Sequence, residues 1–180
     1  MMTERQRRFR EQYVAGISPW YNGLLHIGVM YGAGISAIVW CVSRMQNPTW
    51  EWLLIVPVAI AGNFAEWAMH KYVMHRLIDV FALRAIYDRH TRQHHQYFTD
   101  GDPTIHTIKE FRIVFFPWRV LAVLAVMGGG LGWLTAQVLG PNAGYVVFIT
   151  MIGHYMGIMM HVNMNLTFPV AAWAMKTSDL

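Results

Sequence analysis

The chain has 180 residues, 55% of them hydrophobic and 13% charged, with a formal net charge of +4 at pH 7. Soluble domains average about 25% charged residues, so this composition excludes an ordinary soluble domain and points to a membrane protein. One cysteine, Cys41, excludes an internal disulfide and a thiolate metal site, and the basic residues sort by topology rather than forming a nucleic-acid-binding face.

Residues 1–19 form a basic segment whose first eleven residues hold four arginines, too polar to insert and suited to anionic head groups. No charge occurs from Gln12 to Ser43. A first span is predicted near 20–43, longer than the ~20 residues a bilayer requires, with Trp20 and Tyr21 as interfacial anchors. His26 falls inside it and reads as a hydrogen-bonded packing residue. After the polar turn Arg44–Glu51, broken by Asn47-Pro48, a second span is predicted near 52–70, kinked at Pro57. Glu66 stands near its far end. A carboxylate there is costly enough to imply a function, with His70 or a metal held by His70 as its natural partner.

Five of the nine histidines fall between Glu66 and His95, as His70-x4-His75 and His90-x3-His94-His95. Imidazole is the commonest metal ligand, and paired histidines are what a metal site needs from sequence. On an α-helix His90 and His94 share a face and could chelate one ion, while His95, turned by about 100°, could reach a second. His70 and His75 would stand about 140° apart and share a metal only if the helix ends or loosens between them. This polar region, 66–112, reads as short helices against the membrane, closed by the turn Thr99-Asp100-Gly101-Asp102-Pro103. His106 has no box partner and reads as a surface or supporting residue.

No charged residue occurs from Val120 to Met175, a stretch broken by Gly140-Pro141-Asn142 into spans near 120–139 and 143–162. Gly128-Gly129-Gly130 is expected to permit close helix packing. His154 and His161 are seven apart and lie on nearly one face, about 10 Å apart along the axis. Of the two, His161 is nearer the end where the boxes fall. Asn163 and Asn165 could orient ligands or cap the helix.

The sequences EWAMHKYVMH and RHTRQHH resemble the first two histidine boxes of the fatty acid hydroxylase / sterol desaturase superfamily, integral membrane di-iron oxygenases. The segment HYMGIMMHVNMNLTFP is similar to the stretch ahead of that family's last box, which favours His161 over His154. The closing histidine box itself is not present in this chain. The resemblance implies a non-haem di-iron centre, in which zinc can replace iron, with His70, His75, His90, His94, His95, His161 and more weakly His154 as ligands. Glu66, Asn163 and Asn165 would support them. It further implies oxygen-dependent hydroxylation or desaturation of a fatty acyl, sterol or related lipid, with electrons from an external donor.

These readings combine into an all-α polytopic membrane protein, one membrane-embedded domain over 1–180 with about four transmembrane helices and a cytoplasmic histidine-box cap. Both termini and the boxes would face the cytoplasm, of a bacterial inner membrane or the endoplasmic reticulum, leaving Arg44 as the one basic residue of fourteen outside. Two alternatives stand beside the oxygenase: a membrane haem-b electron carrier using His154 and His161 opposite His26 or His70, and a metal-binding but catalytically incomplete family member.

Overall fold

The computed structural model describes residues 2–99, 105–115 and 118–164, with the side chains of 118–119 and 159–164 outside the description. The described residues are helical and contain no strand. In order they form α1 (Glu4–Ala15), α2 (Gly23–Arg44), a 3₁₀ turn (Trp50–Leu54) leading into α3 (Ile55–Met69), and a π-helical turn (His70–Met74). Then come α4 (Phe81–Tyr87), a second π-helical segment (Asp88–His94) and α5 (His95–Tyr97). After the 3₁₀ turn Ile108–Glu110, the chain continues through α6 (Phe111–Val114), α7 (Trp118–Leu139) and α8 (Pro141–Met164).

Three stretches are long and apolar enough to cross a membrane: Gly23–Arg44, Trp50–Met74 and Val120–Leu139. They match the first three expected spans. Their outer faces carry Leu25, Val39, Phe64, Val126 and Val138, each 60% or more exposed. Apolar surface on that scale is stable in lipid and not in water. In the place expected for the fourth span, α8 runs for 24 residues, with side chains described only to Ile158. The breaker between the last two helices acts as the sequence suggests. Gly140 adopts φ +93 and its N–H bonds the Ala136 carbonyl, ending α7 in a left-handed cap, and Pro141 then opens α8.

The described chain groups into two compact units. The first comprises Met1–His26 and Glu66–Phe115, with a core of Tyr97, Ile113, Val114 and Phe115 that also buries Gln6, Arg10 and Glu110. The second comprises Ile27–Ala65 and Phe116–Leu166 and buries Met30, Cys41, Ala143, Val146, Val147 and Ile149. Its main contact is α7 on α8. A Cβ at residue 132 would fall 2.8 Å from the Gly144 carbonyl oxygen, and one at 144 would collide with the Gly132 carbonyl, so the backbones touch where both residues are glycine. The expected Gly128–Gly130 triplet contributes less. Gly128 packs against Phe148, but Gly129 and Gly130 face open space.

Candidate metal centre

Four imidazoles, those of His70, His75, His90 and His95, each bring a ring nitrogen to within 4.8 Å of the other three. The helix bearing the first box is α until Met69 and then widens into a π turn over His70–Met74. Hydrogen bonds in a π-helix run from i to i+5, so residues five apart come much closer to one face than the about 140° that separates them in an α-helix. His70 and His75 therefore meet, with Nε2 atoms 3.3 Å apart. The second box repeats the device. Asp88–His94 is also π-helical, and His90 and His95 stand with Nε2 atoms 3.1 Å apart.

This pairing differs from the one expected, in which His90 and His94 share a face and His95 turns away. That expectation assumed α winding, in which i and i+4 coincide; under π winding the partner of His90 is His95. His94 is placed beside the cluster instead, its ring stacked parallel to that of His90 at 5.6 Å. The first box behaves as required for a shared ion, because its helix does loosen between the two histidines. Across the boxes, ring centroids lie 4.9 Å apart for His70 and His90 and 4.9 Å for His75 and His95.

Several contacts hold the boxes in register. The Thr91 hydroxyl donates to the Met74 carbonyl at 2.6 Å, joining the second box to the residue before His75. Arg89 donates through Nη2 to the carbonyls of Arg112 and Phe115, the latter at 2.7 Å. His94 makes a hydrogen bond to the Ile113 backbone. Polar side chains thus meet backbone groups of 74 and 112–115 that would otherwise be buried without partners.

Electrostatics disfavour protonation of His90 and His94. Burial, then the neighbouring imidazoles of His95, His70, His94 and His75, push the His90 pKa down to about 2. Burial and then His95, Arg89 and His70 lower that of His94 to about 4, against the opposing hydrogen bond to Ile113. At neutral pH both rings offer lone pairs, the form in which imidazole binds a metal. A cation among them would relieve the crowding of nitrogen dipoles.

The spacing within each box suits a shared transition-metal ion. Nitrogens about 2.05 Å from a common ion stand roughly 3.3 Å apart at tetrahedral angles and roughly 2.9 Å apart at right angles, and the two measured pairs, 3.3 and 3.1 Å, fall in that interval. All-nitrogen ligation suits zinc, iron, copper or nickel and disfavours magnesium and calcium.

The remaining expected residues are placed as follows. Glu66 stands one turn before His70 on α3 and is not among the four converging groups. His154 belongs to the second unit, where its ring packs against Gly62 of α3. His161 and Asn163 lie on the helical backbone of α8 with side chains outside the described residues, as is Asn165 altogether. His26 accepts the packing role, its Nδ1 2.9 Å from the Tyr21 hydroxyl. Exposed His106 has its backbone N–H bonded to Glu110.

Two residues beside the centre were not expected from the sequence. Gln6 and Arg10 of α1, both buried, donate to the carbonyl of Tyr97, two residues past His95. Their signal was present in the 6, 9, 10, 13 spacing of Gln6, Phe9, Arg10 and Tyr13, one helical face behind the N-cap Thr3. The density of arginine masked it. No family model, no curated protein and no solved structure matches this chain.

Proposed function

We propose that the protein is a membrane-bound non-haem iron oxygenase that hydroxylates or desaturates a lipid, drawing electrons from an external donor. The observation that carries this reading is the convergence of four imidazoles at the end of an apolar helix. Bound iron would supply the capacity to use O2 against an unactivated C–H bond. His70, His75, His90 and His95 would hold the first ion. The second iron would call on His94 and Glu66.

Position in the membrane supports a lipid substrate. Lys71 sits 5.4 Å from the Trp67 ring and Arg76 5.5 Å from the Tyr72 ring, a basic and aromatic girdle around the first box of the kind that marks a bilayer interface. The charge asymmetry of the sequence favours the cytoplasmic side for that girdle, within reach of soluble or membrane-anchored reductants. A lipid chain bound along the apolar helices would present its carbons without crossing water, and exclusion of water protects an oxidising site from side reactions.

A second reading rests on the same geometry. Four imidazoles gathered in one place, with single-ion spacing within each box, suit a mononuclear metal protein, including the catalytically incomplete member considered above. The haem alternative, which would use His154 and His161 opposite His26 or His70, leaves His75, His90 and His95 without a role and gains no support from the cluster.

Metal analysis of the detergent-purified protein, with visible spectroscopy and oxygen uptake over a lipid panel, separates these readings. Two irons per chain with lipid-dependent oxygen consumption is the expected result. One tightly held ion without uptake supports the mononuclear reading, and a Soret band overturns both.

A further inference from the structure

We propose that Gln6 and Arg10 of the amino-terminal helix are positioning residues for the metal centre, acting through the Tyr97 carbonyl on the placement of His95. The inference rests on the metal reading of the histidine cluster and adds to it a part of the chain that carries no ligand.

The geometry is convergent. Gln6 Nε2 and Arg10 Nε donate to the same carbonyl oxygen at 2.9 and 3.0 Å. The Thr99 hydroxyl returns a bond to Gln6 Oε1 at 2.8 Å, fixing the amide's orientation. The Arg10 guanidinium also lies 4.7 Å from the centroid of the Tyr97 ring and 5.7 Å from that of Phe98, and Tyr13 meets Tyr97 edge-on at 5.5 Å. Gln6 is 3% exposed, Arg10 5% and Tyr97 0%.

The need for such a clasp follows from the second box. The last carbonyls of a helix lack intrahelical partners, and α5 ends at Tyr97, only two residues after His95. Left unpartnered and buried, that carbonyl would draw the segment toward water and rotate α5. His95 is the ligand nearest this end, its Nε2 3.1 Å from that of His90, and metal bonds tolerate only about 0.2 Å of error. A cation donating to a carbonyl at a helix end also complements the local dipole. Arg10 has the planar fork needed to bond and stack at once, which lysine lacks.

The experiment uses the full chain in detergent with Co2+ as the probe, reading affinity and the visible d–d bands. Arg10→Ala and Gln6→Ala should each weaken Co2+ binding 10- to 100-fold, the range for residues that orient a ligand, and shift the bands. Arg10→Lys should recover part of the affinity, and Arg7→Ala, on the exposed face where Arg7 pairs with Glu4, should match the parent. A metal-free readout accompanies it: modification of His95 by diethyl pyrocarbonate, followed by mass spectrometry, should quicken in Arg10→Ala and not in Arg7→Ala. Folded Arg10→Ala and Gln6→Ala proteins with parental affinity, spectrum and His95 reactivity would overturn the proposal. If the parent chain binds no Co2+, the metal reading fails, and the His95 modification rates still decide whether the clasp positions that residue.

Discussion

Replacing His90 with alanine should weaken metal binding severely. Its ring stands beside all three other converging imidazoles, with centroids 4.7, 4.9 and 5.1 Å from those of His95, His70 and His75. A four-ligand zinc site of this type releases ~12 kcal/mol on binding, so an equal share for each imidazole is about 3 kcal/mol. At 1.36 kcal/mol per decade that corresponds to roughly a 150-fold loss of affinity. His94 should behave differently: it stacks on His90 without joining the converging group, so His94→Ala should cost nearer tenfold, as for a group that supports a ligand. Competition with a chromophoric chelator in detergent, for Zn2+ and Co2+, measures both. The π-turn pairing of His90 with His95 would be refuted if His94→Ala lost as much affinity as His90→Ala while His95→Ala lost none. That pattern belongs to an α-helical box with His90 and His94 as the chelating pair.

Acid should destabilise the metal-free protein. The folded-state pKa values of His90 and His94 are depressed to about 2 and about 4, so below pH 6.5 the unfolded chain binds protons that the folded chain refuses, and stability falls with pH. At pH 5 the loss is up to ~2 kcal/mol for each. Chemical denaturation at pH 7 and pH 5 checks it, and metal-free His90→Ala should show the smaller drop. In the second unit, Gly144→Ala should cost about 1–3 kcal/mol by forcing α7 from α8, whereas Gly129→Ala should be neutral or slightly stabilising; unfolding in mixed micelles distinguishes them. For topology, a cysteine placed at Asn47 in a Cys41→Ser background should label only from the non-cytoplasmic side, and labelling from the cytoplasm alone would reverse the proposed orientation.

Hydropathy and punctuation by themselves determined the helical spans. A helix in lipid must be apolar along its length, and Gly140-Pro141 ends one helix and starts the next through constraints local to those two residues. The histidine spacing likewise marked the four imidazoles that converge, those of His70, His75, His90 and His95, because histidines gathered in two close pairs are what a metal site needs from sequence. Sequence could not determine which histidines pair. Winding as α or π changes the partner of His90 from His94 to His95, and the hydrophobic period does not distinguish them over a single turn. That choice belongs to contacts distant in sequence: Thr91 on the Met74 carbonyl, Arg89 on the carbonyls of 112 and 115, and Gln6 and Arg10 on Tyr97. The poorer hydrogen-bond geometry of a π turn is offset only when such partners are in place, and only the folded chain brings them there.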